Sequence, residues 1–297
     1  MWMRPRVTAG HHVSDRSPSR TPPASGRRER PQPEGTDSLR SMNIAEVHES
    51  VLETVSDGEP LAVPRVRPGD GGSHPLIVMF MDKPGIRDAL RAFCRRLAGH
   101  GYDVILPDLY HRHGRMVGYG PAEAAADPGA QDHMMMLLRS LTDEGIQNDL
   151  DAALDAVAAD RPAGSMAPAG CIGFCLGARA VFRAMMRLPG QFTAGAMWHP
   201  SFLVDGETDS PHLTAGQLAG SLYVGFGEAD RMMSVASMGP FIEAVSALGD
   251  RAVVDILPGA DHAYTWPDAH TYNKAAAERA WSQTLALFSS VLAPARS

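Results

Sequence analysis

Short apolar runs and amphipathic stretches alternate along the chain from residue 60 onward. Several of the apolar runs are continuous and bounded by glycine or proline, which is typical of strands whose two faces are both covered by helices. The runs predict strands at residues 61–66, 76–81, 103–106, 170–174, 194–198, 222–226 and 253–257. Segments with helical spacing of apolar residues predict helices at 87–98, 149–158, 176–188, 238–248 and 275–292. This alternation predicts one α/β domain with a mostly parallel, doubly wound sheet flanked by helices.

Two segments fall outside the alternation. Residues 1–41 hold eight arginines, four acidic residues and six prolines with little apolar periodicity. Such a segment buries too little surface to offset its chain entropy, so it is expected to be a disordered tail or a misassigned start that precedes Met42. Residues 42–297 then form the single domain. Residues 116–146 are glycine- and methionine-rich and are expected to cover a cleft, with the methionines at 134–136 filling the core.

Composition narrows the class of protein further. Of the 297 residues 44% are apolar, which is enough for one sizeable core, and no apolar run is long enough to span a membrane. Three scattered cysteines argue for free thiols in a reducing compartment, so a cytoplasmic location is expected. The net charge of −7 gives no general attraction to nucleic acid. The chain shows no phosphate loop, dinucleotide fingerprint or metal-ligand spacing, so no cofactor and no metal are expected.

The sharpest local motif is Gly-Phe-Cys-Leu-Gly at residues 173–177, directly after a predicted strand and at the start of a predicted helix. It has the spacing of the G-x-S-x-G nucleophile elbow, with cysteine in place of serine. Glycines are needed on both sides because side chains would clash in so tight a turn. The turn would present Cys175 above the carboxyl edge of the sheet, where a helix N-terminus favours a thiolate. The alternative is an inert buried cysteine, which is also the expected state of Cys94 and Cys171.

Possible partners of Cys175 follow in the order nucleophile, acid, histidine, each just after a predicted strand. In this interpretation Asp230 orients the ring of His262. His262 then takes the thiol proton and later donates one to the leaving group. Glu228 and Asp261 compete for the role of the acid, but both are expected to be solvated loop acids. His199 competes for the role of the base.

With these residues in order, the sequence resembles the dienelactone hydrolase family of α/β hydrolases. The resemblance runs from residue 76 to residue 292. Besides the cysteine elbow it rests on residues 76–81 with Asp82 and Gly85, 97–102, 106–112 and 210–213. Cysteine in the elbow is the specific feature, since most other α/β hydrolases carry serine there. The resemblance implies an α/β-hydrolase fold and a triad of Cys175, His262 and Asp230.

The resemblance also implies residues that bind the substrate. Asp82 stands where the family has an acidic residue that pairs with the resting thiol, although members with dienelactone activity carry the longer glutamate. Arg112 matches an arginine that grips the substrate carboxylate through its bidentate fork. A second such arginine is replaced here by Trp266, which favours a more apolar or larger ester over dienelactone itself. The amides of Leu176 and of the 81–83 loop, around Asp82, would form the oxyanion hole.

The sequence therefore predicts a cofactor-free hydrolase that cleaves an ester or lactone through a thioacyl-enzyme intermediate. The first alternative is a thioesterase or another acyl-transfer enzyme that uses the same triad. The second is a non-catalytic binding protein that keeps the fold. The expected partner is a small-molecule ester or lactone, with no nucleic acid and no membrane, and the sequence leaves the oligomeric state open.

Overall fold

The structure is a computed structural model that describes residues 46–161 and 168–292. The described residues form one sheet of the strands β1 (Val47–Ser56), β2 (Glu59–Pro68), β3 (Leu76–Phe80), β4 (Asp103–Ile105), β5 (Ala169–Phe174), β6 (Phe192–Trp198), β7 (Ser221–Gly227) and β8 (Ala252–Leu257). Their order across the sheet is β1-β2-β4-β3-β5-β6-β7-β8. The pairs β1–β2 and β2–β4 are antiparallel, and all the other neighbours are parallel.

Helices are interspersed with these strands. Within the described ranges they are α1 (Asp88–Ala98), α2 (Pro121–Ala126), α3 (Ala130–Ser140), α4 (Asp143–Ala159), α5 (Leu176–Arg187), α6 (Pro211–Thr214), α7 (Gly239–Ser246) and α8 (Lys274–Val291). Because α5 begins directly after β5, the connection between them is a single tight turn. The carboxyl ends of the parallel strands, where such turns lie, therefore form one edge of the sheet.

Helices cover both faces of the sheet. A Cβ atom on Gly170 of β5 would meet the side chain of Phe288 on α8, whereas one on Gly195 of β6 would meet Met185 on α5. Cys171, the neighbour of Gly170, pairs with Gly195 across the two strands, so the two glycines point to opposite faces. The central strands β3 and β5 are buried along their whole length, as expected of parallel strands between two helical layers.

An aromatic cluster packs beneath the carboxyl edge of the sheet. The ring of Phe93 on α1 meets four other rings edge-on at centroid distances of 5.0–6.1 Å: Phe174, Trp198, Trp266 and Trp281. Edge-to-face pairs of this kind contribute about 0.5–1.5 kcal/mol each beyond the burial of their surface. Because Phe174 and Trp198 are paired at the last residues of β5 and β6, the cluster braces the strand ends from which the next turns start.

The sequence-based prediction of a mostly parallel sheet flanked by helices is confirmed. Each of the seven predicted strands is present, with both ends within two residues of the prediction. Four of the five predicted helices agree equally well, whereas α4 begins six residues earlier than predicted, at Asp143. The earlier start follows from Thr142, whose side chain accepts a hydrogen bond from the Gly145 N–H and caps the helix.

The elements that the sequence pattern missed lie at the periphery. β1 is an edge strand whose apolar residues do not alternate strictly, so its pattern is weak. The usable signal was the dipeptide Asp57-Gly58, because both residues have positive φ, 49° and 82°, as a two-residue hairpin turn requires. The segment 116–146 contains α2 and α3, and of its methionines Met134 is buried while Met136 is exposed.

The described residues lie within one compact unit. The expectations for residues 1–41 concern a part of the chain outside the described ranges. Over the part that the structure covers, no helix combines the length and the apolar character needed to cross a membrane.

Candidate active site

Cys175 occupies the sharp turn between β5 and α5. Its backbone has φ 52° and ψ −114°, in a region that residues with a side chain rarely adopt. The Cys175 N–H donates to the Trp198 carbonyl at 3.2 Å, and the Cys175 carbonyl accepts from the N–H groups of Ala178 and Ser201 at 3.2 and 3.0 Å. These three backbone bonds hold a strained residue in place, which is a common property of residues at functional sites.

The glycines on either side of Cys175 are required by close backbone contacts. A Cβ on Gly173 would lie 2.1 Å from the carbonyl oxygen of Gly177, and a Cβ on Gly177 would lie 2.5 Å from the carbonyl oxygen of Phe80. Backbone atoms cannot rotate away from such a contact. The second contact also shows that the start of α5 packs against the end of β3. The residues that follow β3 therefore lie beside the nucleophile elbow.

His262 and Asp230 form a hydrogen-bonded pair in the loops after β8 and β7. Nδ1 of His262 donates to Oδ2 of Asp230 at 2.7 Å. The other carboxylate oxygen of Asp230 accepts from the N–H groups of Met232 and Met233 at 2.9 and 2.7 Å. Asp230 is almost fully buried. Its carboxylate is therefore fixed in one orientation, and it fixes the imidazole so that Nε2 is the atom left to exchange a proton.

Cys175 and His262 alter each other's pKa. Burial disfavours ionisation of the Cys175 thiol, but the charge and hydrogen bonding of His262 outweigh burial, and the thiol pKa is lowered. Burial likewise opposes protonation of His262, but the Cys175 charge and the bond to Asp230 raise its pKa to about 10. Because Nδ1 is bound to Asp230, the buried Nε2 is the ring atom available to the thiol. These shifts favour a thiolate–imidazolium pair over the neutral pair.

Two residues in the loop after β6 adjoin this pair. Ser201 is fully buried, and its Oγ lies 3.3 Å from Sγ of Cys175. The ring of His199, also fully buried, stands edge-on to that of His262 at a centroid distance of 5.1 Å. Burial and the charge of His262 lower the pKa of His199 far below its usual value. No hydrogen bond to either ring nitrogen of His199 exists among the described residues, so no carboxylate orients it, which favours His262 as the base.

The competing acids and the other cysteines have different surroundings. Glu228 accepts a bond from the backbone of Gly259 at 2.9 Å, and Asp261 accepts one from the backbone N–H of His262 at 2.7 Å, so neither binds the imidazole ring. Burial raises the pKa of Cys94 to about 12 and also raises that of Cys171. Cys175 is the cysteine whose pKa is lowered.

Asp82, which follows β3, belongs to a closed cluster of three buried side chains. Arg87 donates to both of its carboxylate oxygens at 2.5 and 2.9 Å, and Nε1 of Trp266 donates to Oδ2 at 2.8 Å. The guanidinium of Arg87 also lies over the Trp266 ring, 4.8 Å from its centroid. The charge of Asp82 acts on Cys175 by raising its thiol pKa, against the effect of His262. Asp82 is thus beside the nucleophile, but its oxygens are engaged by Arg87 and Trp266.

The two residues expected to form the oxyanion hole lie at the same edge of the sheet. Leu176 is the first residue of α5, and Asp82 follows the strand end against which Gly177 packs. Their backbone amides thus belong to the two segments that meet at the elbow. An N–H at the first turn of a helix has no carbonyl partner within that helix, which leaves it available to an anion.

Arg112, expected from the sequence to bind a substrate carboxylate, is bonded to carboxylates of the chain itself. It lies in the short 3-10 turn after β4 and donates to Asp149 on α4 at 3.0 and 2.8 Å and to Asp57 at 2.5 Å. Asp149 is fully buried and also accepts bonds from Ser56 and His111. The Arg112 guanidinium is therefore shared between two carboxylates of the chain itself.

A cavity of about 370 Å³ adjoins Arg112 and extends between Leu109 and the start of α4, and no residue of the Cys175, His262 and Asp230 set lines it. Across residues 46–161 and 168–292, no group of three or more histidine, cysteine, aspartate or glutamate side chains is placed to hold a metal ion.

The sheet topology, the elbow after the fifth strand, and the acid and histidine after the last two strands together define the α/β-hydrolase fold. Solved structures of the same fold support this class. A protein of Klebsiella pneumoniae provisionally described as a dienelactone hydrolase is 24% identical, with a TM-score of 0.69 over 82% of this chain and 99% of that one. A dienelactone hydrolase-like promiscuous phosphotriesterase from metagenomic libraries is 20% identical, with a TM-score of 0.63 over 82% and 98%.

Within this class the chain belongs to the dienelactone hydrolase family, whose profile matches residues 64–292. The resemblance seen in the sequence is thereby confirmed. Proteins provisionally named carboxymethylenebutenolidase are 27% identical in Methylorubrum extorquens, over 74% of this chain and 73% of the relative, and 27% identical in Escherichia coli K12, over 78% and 83%. The protein is therefore a hydrolase that acts on an ester or lactone.

Sequence reasoning did not single out Arg87 or Ser201. Arg87 precedes α1, and nothing in the sequence distinguishes it from an ordinary surface arginine at the start of a helix. Ser201 did carry a signal, because it follows β6, the strand next to β5, at the carboxyl edge where ligands bind in open α/β sheets.

Proposed function

We propose that this hydrolase uses Cys175 as its nucleophile, His262 as general base and acid, and Asp230 to orient His262. The observation that carries the proposal is the hydrogen bond by which the buried Asp230 carboxylate holds the His262 ring, whose charge in turn lowers the pKa of the Cys175 thiol. A nucleophile, a base and a group that orients the base are the components that covalent acyl transfer requires.

In the proposed reaction the Cys175 thiolate attacks the carbonyl carbon, a C–S bond forms, and the carbonyl oxygen becomes negative. The amides of Leu176 and Asp82 stabilise this oxyanion. The oxygen of the leaving alcohol then departs and takes a proton from Nε2 of His262, which leaves a thioacyl-enzyme. Water attacks the thioester and gives a proton back to Nε2, and the thiolate departs as the acid is released.

We further propose that the acyl group is uncharged. The two arginines near predicted binding positions are already paired with carboxylates of the chain, Arg112 with Asp57 and Asp149, and Arg87 with Asp82. Trp266 donates its N–H to Asp82 and adds apolar surface. A substrate carboxylate would have to displace one of these bonds and would meet the charge of Asp82. An uncharged ester or lactone meets neither cost.

Of the two alternatives named from the sequence, one differs from the proposal in the leaving group and the other in the fate of the thiol. A thioesterase would use the same three residues and form the same intermediate, and it differs only in a preference for sulfur over oxygen in the leaving group. A binding protein would keep its affinity for a ligand without forming a bond to Cys175. The lowered pKa of a thiol next to His262 favours catalysis, since binding alone does not need a thiolate.

The test is mass spectrometry of the intact protein a few seconds after it is mixed with p-nitrophenyl acetate, beside the Cys175→Ala variant. The wild type is expected to gain an acetyl group that decays with time, and the variant to gain none at that rate. Cys171→Ala is the matched control and should behave as the wild type, because its thiol is buried with a raised pKa. Equal acylation of the wild type and Cys175→Ala would refute the nucleophile assignment.

The substrate class is tested with a pair of esters that differ in one charge. We expect kcat/KM for p-nitrophenyl butyrate to exceed that for mono-p-nitrophenyl succinate by about tenfold or more, since one unpaired charge costs more than 1.4 kcal/mol. A preference for the charged ester would overturn the proposal of an uncharged acyl group and would leave the nucleophile assignment intact.

A further inference from the structure

Ser201 holds Cys175 at two points. Its backbone N–H donates to the carbonyl of Cys175 at 3.0 Å, and its side-chain Oγ lies 3.3 Å from Sγ of the same residue. Ser201 is fully buried, so no bulk water competes for its hydroxyl. Over the residues that the structure describes, the thiol is the hydrogen-bond partner of this hydroxyl.

A hydroxyl in this position is suited to a sulfur that carries negative charge. A thiolate offers only acceptor sites, and the Ser201 hydroxyl can rotate to donate to it. Hydrogen bonds to charged groups are about twice as strong as those between neutral groups, so the bond strengthens when the thiol ionises. The bond to Oγ also restricts rotation of the Cys175 side chain about χ1, so Sγ is held in one direction.

We propose that Ser201 is a positioning residue for the nucleophile: its hydroxyl donates to Sγ of Cys175, restrains the side chain and stabilises the thiolate. This inference rests on the proposed role of Cys175. It goes beyond the set of Cys175, His262 and Asp230, since Ser201 follows β6, which flanks β5 on the side away from β3.

Other groups that act on the thiol must be held constant in a test. His262, from the loop after β8, favours the thiolate, whereas Asp82, from the loop after β3, disfavours it. Tyr110, from the turn after β4, also interacts electrostatically with Cys175 and donates its hydroxyl to the carbonyl of Lys83. Ser201→Ala leaves these groups and the backbone bond in place and removes one oxygen atom.

The experiment measures the rate at which iodoacetamide alkylates Cys175 as a function of pH, read by mass spectrometry of the peptide that contains it. Alkylation follows the thiolate and needs no substrate. Ser201→Ala is expected to react about tenfold more slowly than the wild type near pH 6, with the two rates converging at high pH. Ser201→Thr, which keeps a hydroxyl, is expected to follow the wild type more closely than the alanine variant does.

Ser210→Ala is the matched control, because Ser210 is equally buried but its hydroxyl bonds to Asp205 and His212. Its alkylation profile is expected to match the wild type. A wild-type profile in Ser201→Ala, or an equal shift in Ser210→Ala, would overturn the inference, as would a threonine variant as slow as the alanine one. The comparison of Ser201→Thr with Ser201→Ala still tests the inference when another variant folds poorly at high temperature. Failure of the proposed function shows instead as a missing acyl adduct, with the alkylation profiles unaffected.

Discussion

A backbone carbonyl restricts the residue that position 177 can hold. The Cβ of any other amino acid at Gly177 would lie 2.5 Å from the carbonyl oxygen of Phe80 and 2.7 Å from that of Met81. Both oxygens belong to the main chain at the end of β3, so relief requires α5 to move away from the sheet. A larger residue at position 177 would therefore displace the nucleophile elbow, which lies at the start of α5.

We expect Gly177→Ala to lower the free energy of unfolding by about 2 kcal/mol or more, the usual scale for overpacking a rigid contact. The measurement is urea unfolding followed by circular dichroism. Gly239→Ala is the matched control, because a Cβ at that position in α7 meets no atom within 4 Å. An equal loss of stability in both variants would show that the clash is not the cause.

The paired shifts of Cys175 and His262 give a pH prediction. The reaction needs the thiolate, present above the lowered pKa of Cys175, and the imidazolium, present below the His262 pKa of about 10. kcat/KM for p-nitrophenyl acetate is therefore expected to reach its plateau below about pH 8.5, the region where an ordinary thiol titrates, and to fall near pH 10. A rate that keeps rising through pH 9 would contradict the ion pair.

Individual residues also show where sequence reasoning stops. The order of Cys175, Asp230 and His262 along strand ends was enough to predict that Asp230 and His262 pair, as their hydrogen bond of 2.7 Å shows. The direction of Arg112 was not predictable, because it depends on Asp149, a carboxylate 37 residues away whose complete burial no local pattern reveals. The same applies to Trp266, whose N–H reaches Asp82 across 184 residues of chain.

The hairpin of β1 and β2 is tied to α4 through one buried carboxylate. Asp149 accepts bonds from Ser56 at the end of β1, from His111 and from Arg112. Its removal leaves the buried hydroxyl of Ser56 and the buried ring of His111 without this acceptor, and Arg112 keeps only Asp57. The burial penalty of these groups then falls on the folded state alone.

We expect Asp149→Ala to lower the free energy of unfolding by about 3–5 kcal/mol. Asp151→Ala removes a carboxylate from the same helix, but that carboxylate forms an exposed pair with Arg187, so a change of less than about 1 kcal/mol is expected. Urea unfolding of the two variants provides the comparison. Similar losses would mean that Asp149 stabilises no more than a surface ion pair does.

Strands with two covered faces show the clearest sequence pattern, although the edge strand β8 was predicted as well. Strands β3 and β5 are continuous apolar runs because both faces are buried, and that pattern is local. β1 has one neighbour and exposed valines, Val51 and Val55, so burial imposes little pattern on it. The periodicity of a segment thus reflects how many of its sides are packed, and a segment with few packed sides, such as β1, shows a weak pattern.

Buried aspartates distributed over the whole molecule make its stability depend on acid. Burial opposes ionisation of Asp103 and Asp149, but two arginines beside Asp103, and His111 with Arg112 beside Asp149, outweigh it and lower both pKa values. The pKa of Asp230 is lowered in the same way by its bond to His262. A lowered folded-state pKa contributes stability above the unfolded value of about 4, and this stability is lost as pH falls through the folded value. Asp108, whose pKa burial raises, acts in the opposite direction.

The midpoint of urea unfolding is therefore expected to stay nearly constant from pH 7 to 5 and to fall steeply below about pH 4. In Asp103→Asn, which removes the charge between Arg65 and Arg161, the midpoint is expected to be lower at pH 7 and to decline less on acidification. Asp268 is exposed and provides the control, since Asp268→Asn should leave the dependence of the unfolding midpoint on pH unchanged. A slope in Asp103→Asn as steep as in the wild type would contradict this account.

The rings around Phe93 give the molecule an optical property. Three of its four tryptophans, those at 198, 266 and 281, meet that one ring, so their emission arises from a single small volume just beneath the elbow. Trp266 also donates to Asp82, whose charge acts on the Cys175 thiol. The emission of these three tryptophans therefore reports on the reaction centre, and a change in it on acylation would follow turnover without an added dye.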